Sequence, residues 1–182
     1  EIILLFRDDV EDVRESAAGA LSSCIIAKVM EVVEDGSEGC PNEKMARVHE
    51  GVLGKEVLDK MIRLLDDSDE KVRVAVVSVL GDTRADRAVE PLLLALDDDS
   101  CEVRSEAAHA LWKTEDHRVV QPLINLLDDR EEKVREAAIC SLGMLNDKRA
   151  IKPLQAMLSG ESEEIRGDIV TALGRIGDAK ST

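Results

Sequence analysis

Along most of this chain apolar residues return every three or four positions, and the pattern itself repeats. Between Val103 and Leu111, the residues Val103, Ala107, Ala110 and Leu111 are apolar with mostly polar positions between them, the spacing of one buried helical face. The opening of that helix recurs. Val72-Arg73, Val103-Arg104, Val134-Arg135 and Ile165-Arg166 follow one another at 31 residues, as do Pro91-Leu92, Pro122-Leu123 and Pro153-Leu154. A fixed period of this size marks stacked supersecondary units. Each unit reads as an apolar first helix ending in Leu-Asp-Asp, a short acidic turn, and a second helix of the type Val-Arg-x-x-Ala-Ala-x-x-Leu-Gly. Gly81, Gly143 and Gly174 follow the last core Leu and are expected to end their helices in the left-handed conformation. Asp82, Asp116 and Asp147 are expected to cap the next first helix, with the proline about a turn later, where its missing N–H costs little.

Extended backwards, the template becomes irregular. Leu53-Gly54 aligns with Leu80-Gly81, which sets Met45 opposite Val72 and Ala46 where the arginine recurs. Val13-Arg14 opens an earlier second helix. The spacings Val13 to Val33 and Met45 to Leu65 are 20 residues where later units use 24, so connections in the first half should be shorter. Residues 34–43, rich in Gly and Pro, read as an insertion in a turn. The expectation is one all-α repeat domain over residues 1–182, with irregular repeats at 1–67, regular ones at 68–182 and about six helix pairs. Because Glu1 lies inside an apolar run, the sequence is expected to be a piece of a longer chain.

The motif Asp-x-x-Val-Arg-x-x-Ala-Ala-x-x-Leu-Gly at a 31-residue period resembles the HEAT repeat family, in its short, phycobilisome-lyase-like branch. The resemblance is specific over Ser68–Asp178 and looser over Glu1–Asp67. It implies an armadillo-like α-α superhelix, an α solenoid with the Val-Arg helices on the concave side, and a function of protein binding. One helix pair cannot bury its apolar face alone, so pairs stack and leave a long surface. With helices roughly 8 to 10 Å apart, six pairs would extend about 50 to 60 Å.

Composition narrows the function. Hydrophobic residues are 44% of the chain and aromatic ones 1%, so Leu, Val, Ile, Ala and Met must fill the core. The net charge of −15 opposes a phosphate backbone or an anionic membrane and favours a neutral or basic protein partner; no nucleic acid and no membrane partner is expected. Cys24, Cys40, Cys101 and Cys140 are dispersed without a C-x-x-C pair, which suggests reduced thiols in the cytoplasm. No stretch approaches the apolar length of a membrane span. Acids such as Asp66, Asp67, Asp97, Asp98, Asp128 and Asp129 fall in equivalent turns and predict an acidic ridge. Its carboxylates serve helix capping and, compatibly, attraction of a basic partner. The opposite connections carry Arg84, Arg87, His117, Arg118, Lys148, Arg149 and Lys152, a weaker basic edge. The repeated arginines, Arg14, Arg73, Arg104, Arg135 and Arg166, are expected to tie successive repeats through bidentate bonds.

Counting from the Val of each second helix, the third, fourth and seventh residues should face the concave solvent. These are Glu15, Ser16, Arg47, Val48, Val74 and Ser78 in the first half. Ser105, Glu106, His109, Glu136, Cys140, Asp168 and Thr171 follow in the second. Val48 and Val74 are apolar where solvent is expected, and Trp112 stands where other repeats place Gly, which makes it the leading candidate for an interface centre. His49-Glu50 resembles the His-Glu pairs that bind di-iron in deoxyhypusine hydroxylase, but lies four rather than six residues before its core Leu. With three dispersed histidines no metal site is expected. Cys140 and His109 share the seventh position in adjacent repeats, about 10 Å apart by helix spacing, too far for a nucleophile–base hydrogen bond. No phosphate loop or nucleophile elbow occurs, so no cofactor and no catalytic residue is predicted. The reading is a protein-binding scaffold or adaptor. The enzyme-class alternative is a subunit resembling a phycobilin lyase, and binding like the HEAT-like DNA glycosylases is disfavoured because the groove lacks a Lys and Arg stripe.

Overall fold

The computed structural model describes residues 55–160 and 162–178, and every regular element among them is helical. The expectations for residues 1–54, including the insertion at 34–43 and candidates Glu15, Ser16, Arg47 and Val48, lie outside the described residues. The chain divides into two compact units, Glu1–Leu92 and Leu93–Thr182.

In the first unit, α1 (Lys55–Arg63) tightens into a 3-10 turn at Leu64–Asp66, and α2 (Glu70–Thr83) and α3 (Asp86–Leu94) follow. Leu58 and Met61 of α1, Val72, Val76 and Leu80 of α2, and Ala88 and Leu92 of α3 are buried. The second unit takes the last two residues of α3 and the 3-10 turn Ala95–Asp97, and continues through α4 (Cys101–Trp112), α5 (Val120–Asn125) and α6 (Glu132–Leu145) to α7 (Ile151–Met157) and α8 (Glu163–Asp178). Here α6 packs on α4 and α8 packs on α6. The first and fifth template residues, Val103 and Ala107, Val134 and Ala138, Ile165 and Ile169, are all buried, as the 3.6-residue pattern requires. The fold is that of a helical-repeat solenoid built from aliphatic side chains.

The Leu-Asp-Asp turns have one construction. The second aspartate of each, Asp67, Asp98 and Asp129, leaves the 3-10 turn in an extended conformation. Its Oδ1 accepts the N–H two residues on, from Asp69 at 2.9 Å, Ser100 at 2.8 Å and Glu131 at 2.9 Å. Such side-chain turns replace backbone bonds that the ending helix cannot make. The repeated arginine closes the turn from the next helix. Arg73, Arg104 and Arg135 each donate through Nη1 to the carbonyls of Asp67, Asp98 and Asp129 at 2.8, 2.8 and 2.9 Å.

Two local expectations are corrected. Gly81, Gly143 and Gly174 do not end their helices, since all three lie inside α2, α6 and α8. Among the described residues, the non-glycine left-handed positions come three places after that register, at Arg84, Glu115 and Asn146, with φ of 49°, 56° and 55°. Gly143 serves close approach instead: a Cβ placed there would lie 2.9 Å from the Cβ of Ala172 on α8. Asp82 does not cap a helix, because it too lies inside α2. Thr83 does part of that work, with its hydroxyl donating to Leu80 O at 2.6 Å and accepting the Ala85 N–H at 3.3 Å. Asp116 and Asp147 do cap, accepting the N–H of Arg118 and Arg149 at 2.8 and 2.9 Å.

Candidate functional site

Within the second unit, the second helices of three successive repeats line an open groove of about 430 Å³. From α4 come Ser105 and His109, from α6 Lys133, Glu136, Ala137 and Cys140, and from α8 Asp168, Thr171, Ala172 and Arg175. The spacings 105-109, 133-137-140 and 168-172-175 are each a single helical stripe, so one side of every helix is presented. The floor is small: Ser105, Ala137 and Ala172 are buried. Cys140, Asp168, Thr171 and Arg175 are exposed, and His109 and Glu136 are half-buried.

Charge is arranged in bands across the helices. Lys133, at the start of the α6 stripe, forms an ion pair with Glu102 that raises its pKa. Further along come Glu136 and Asp168, on adjacent helices, and among the described residues neither side chain makes a hydrogen bond or an ion pair. The middle band is the uncharged or weakly basic set His109, Cys140 and Thr171. Arg175 closes the far end and approaches the Met144 Sδ at 3.0 Å. Two carboxylates with unused acceptor capacity, set between polar side chains, suit a cationic group on a docked chain. No group of three or more His, Cys, Asp and Glu among the described residues could hold a metal ion.

Six residues expected to face the groove are brought together in it: Ser105, His109, Glu136, Cys140, Asp168 and Thr171. Glu106 and Trp112 are half-buried on α4 and do not line it. Val74 and Ser78 are half-buried on α2 of the first unit. Lys133, Ala137, Ala172 and Arg175 were not among the expected positions. Their signal was present in the i, i+4, i+7 continuation of each stripe, beyond the third, fourth and seventh residues.

Around the groove the frame is held by charged pairs. Arg104 grips Asp129 of the next repeat through Nε and Nη2 at 2.9 and 3.0 Å, with side chains 8% and 13% exposed. Burial works against ionisation of Asp129, but the Arg104 hydrogen bonds and the Glu131 N–H hold its carboxyl below the usual range. On the other edge, Arg118 pairs with Asp116 at 2.7 Å and Arg149 with Asp147 at 2.8 Å. Arg149 also donates to the His117 carbonyl at 2.9 Å.

The family described as HEAT repeats matches residues 58–139 and, in a second match, 120–182. No curated protein sequence matches the chain. Among solved structures, the complex of CpcE and CpcF of phycocyanin lyase from Nostoc sp. PCC7120 is similar with a TM-score of 0.71 at 19% identity, over 96% of this chain and 63% of that one. A designed armadillo repeat protein in complex with the peptide (KR)4 is similar with a TM-score of 0.62 at 22% identity, over 96% and 80% of the two chains. An engineered protein has a TM-score of 0.61 at 19% identity, over 97% and 78%. At these identities the likeness concerns the fold.

Proposed function

The chain belongs to the HEAT repeat family, and from that premise we propose that it is a protein-binding scaffold whose groove on α4, α6 and α8 takes an extended basic segment of another protein. The observation that carries this reading is the pair Glu136 and Asp168, carboxylates on neighbouring helices without a partner among the described residues. A lysine or arginine laid across the helices satisfies them, while Ser105, His109 and Thr171 offer hydrogen bonds to the passing backbone. The net charge of −15 draws such a segment in and opposes nucleic acid. That a repeat protein of similar fold is in complex with (KR)4 supports the same chemistry. Among the described residues no helix is long and apolar enough to cross a membrane. The free thiols of Cys101 and Cys140 fit the reducing cytoplasm.

Fluorescence anisotropy with a labelled (Lys-Arg)4 peptide tests the reading. Binding at low salt should weaken steeply as salt rises, and Glu136→Gln with Asp168→Asn should weaken it roughly tenfold, in line with about 1 kcal/mol or a little less per charge-assisted contact. Equal binding of an acidic control peptide, or no loss in the double variant, would discard it. The second reading, a subunit resembling a phycobilin lyase, is favoured by the TM-score of 0.71 to the lyase structure. A bilin titration separates the two, since only the lyase-like reading expects a change in bilin absorption.

A further inference from the structure

On α8, Thr171 stands between side chains of opposite charge. Counted from the Val position, Asp168 is fourth, Thr171 seventh and Arg175 eleventh, and all three line the groove. At a rise of about 1.5 Å per residue, Asp168 lies about 4.5 Å to one side of Thr171 along the helix and Arg175 about 6 Å to the other. On α6, Glu136 precedes Cys140 by about 6 Å, and Met144, 42% exposed, follows it by the same distance. The eleventh position carries Lys113, Met144 and Arg175 in the three repeats, so one side of the polar band is free of acids. The frame of the fold does not account for Arg175. A cation in the last turn complements the helix dipole, but this side chain reaches sideways to α6, with Nη1 3.0 Å from the Met144 Sδ. A thioether sulfur is a weak acceptor, whereas a guanidinium carries five donors that suit a carboxylate. Among the described residues Arg175 has no carboxylate partner, unlike Arg104, Arg118 and Arg149.

An extended chain sends successive side chains to opposite sides of its backbone. Laid across α6 and α8 above Cys140 and Thr171, it aims every second side chain at Glu136 and Asp168 and those between at Met144 and Arg175. Two extended residues advance about 7 Å and packed helices stand roughly 8 to 10 Å apart, a difference that long side chains close. A tract of basic residues alone satisfies the carboxylates but sets like charge against Arg175. We propose that the groove selects an extended protein segment in which basic and acidic side chains alternate, with Arg175 as the residue that reads the acidic ones. A glutamate of the segment rests its methylenes on Met144 and gives its carboxylate to the guanidinium, which exchanges a weak sulfur acceptor for a strong one. This specificity rests on the reading of the same groove as a docking site for an extended chain, and names the partner more closely.

Two labelled peptides test it on the full chain by fluorescence anisotropy at one salt concentration: Lys-Glu-Lys-Glu-Lys-Glu-Lys, and the same peptide with glutamine for each glutamate. Comparing the ratio of their affinities between protein variants removes the difference in peptide charge. In Arg175→Gln that ratio should shift about tenfold toward the glutamine peptide, the effect of one charge-assisted contact. Arg175→Glu should shift it further and tighten binding of (Lys-Arg)4. Arg175 is exposed, so both variants should keep the melting temperature. An unchanged ratio in Arg175→Gln overturns the proposal. It does so alone when (Lys-Arg)4 still binds and still loses affinity in Glu136→Gln with Asp168→Asn. An equal shift in Lys148→Gln, an exposed cation outside the groove, also overturns it, since net charge would then explain the preference. If none of the peptides binds, the docking reading falls and this specificity with it.

Discussion

The two kinds of turn in this protein use the same residue types in different ways. At the Leu-Asp-Asp turns, arginine uses its Nη1 on backbone carbonyls, as Arg73, Arg104 and Arg135 do, and the neighbouring Asp66, Asp97 and Asp128 stay exposed. At the opposite turns, Arg118 and Arg149 fold back onto Asp116 and Asp147 two residues earlier and neutralise them. In the second unit Asp97 and Asp128 therefore keep their field, although Asp129 is paired with Arg104, while the charges of Arg118 and Arg149 in the expected basic edge are cancelled locally. What decides the difference is geometry. An arginine in the first turn of a helix reaches back over the preceding turn to carbonyls, whereas one just after an N-capping aspartate meets the carboxylate first.

The largest effect that separates the edges should come from Arg104→Ala. It leaves Asp129, 13% exposed, without its bidentate partner and frees the Asp98 and Asp99 carbonyls, for a loss of about 3 kcal/mol in urea unfolding. A loss no greater than that of an exposed surface arginine would show that the acidic turns do not need their arginine. Asp147→Ala should cost about 1 kcal/mol as a lost cap. The Arg149 hydrogen bond holds the Asp147 pKa down from 3.8 to about 2. A carboxyl held low stabilises the fold above its unfolded value and loses that contribution as pH falls through the folded one, so the window runs from about 4 down to about 2. Over that window Asp147→Asn should flatten the fall in the urea midpoint, and parallel curves would contradict the pairing. Smallest, and opposite in sign, is Glu115→Gly. It relieves a left-handed φ of 56° and should raise stability by somewhat less than about 1 kcal/mol, read as a higher melting temperature.

Much of the candidate groove was legible because a helix repeats its faces. Ser105, His109, Glu136, Cys140, Asp168 and Thr171 follow from counting, once Val103, Val134 and Ile165 are known to be buried. Lys133 and Arg175 lie at the ends of the same stripes, where counting three positions stops too early. Trp112 drew notice for its type and its departure from Gly, yet it is half-buried away from the groove, because the last residue of α4 stands beyond the stripe that Ser105 and His109 form.

The 31-residue period and its apolar spacing determined that the chain is a helical repeat, which residues form each buried stripe and where the turns fall. Those are properties of local sequence, since a helix fixes the direction of each side chain relative to the next. The role of a residue whose partner comes from another repeat was decided only in three dimensions. Gly143 looks like a helix stop in sequence and is a contact point for Ala172, and Gly174, identical in its motif, faces open space. Arg104 differs from Arg135 little in sequence, yet its pairing depends on Asp129 standing 25 residues away, where the equivalent position for Arg135 is Gly160. Packing distance and charge pairing between neighbouring hairpins arise from their juxtaposition, and no single repeat contains that information.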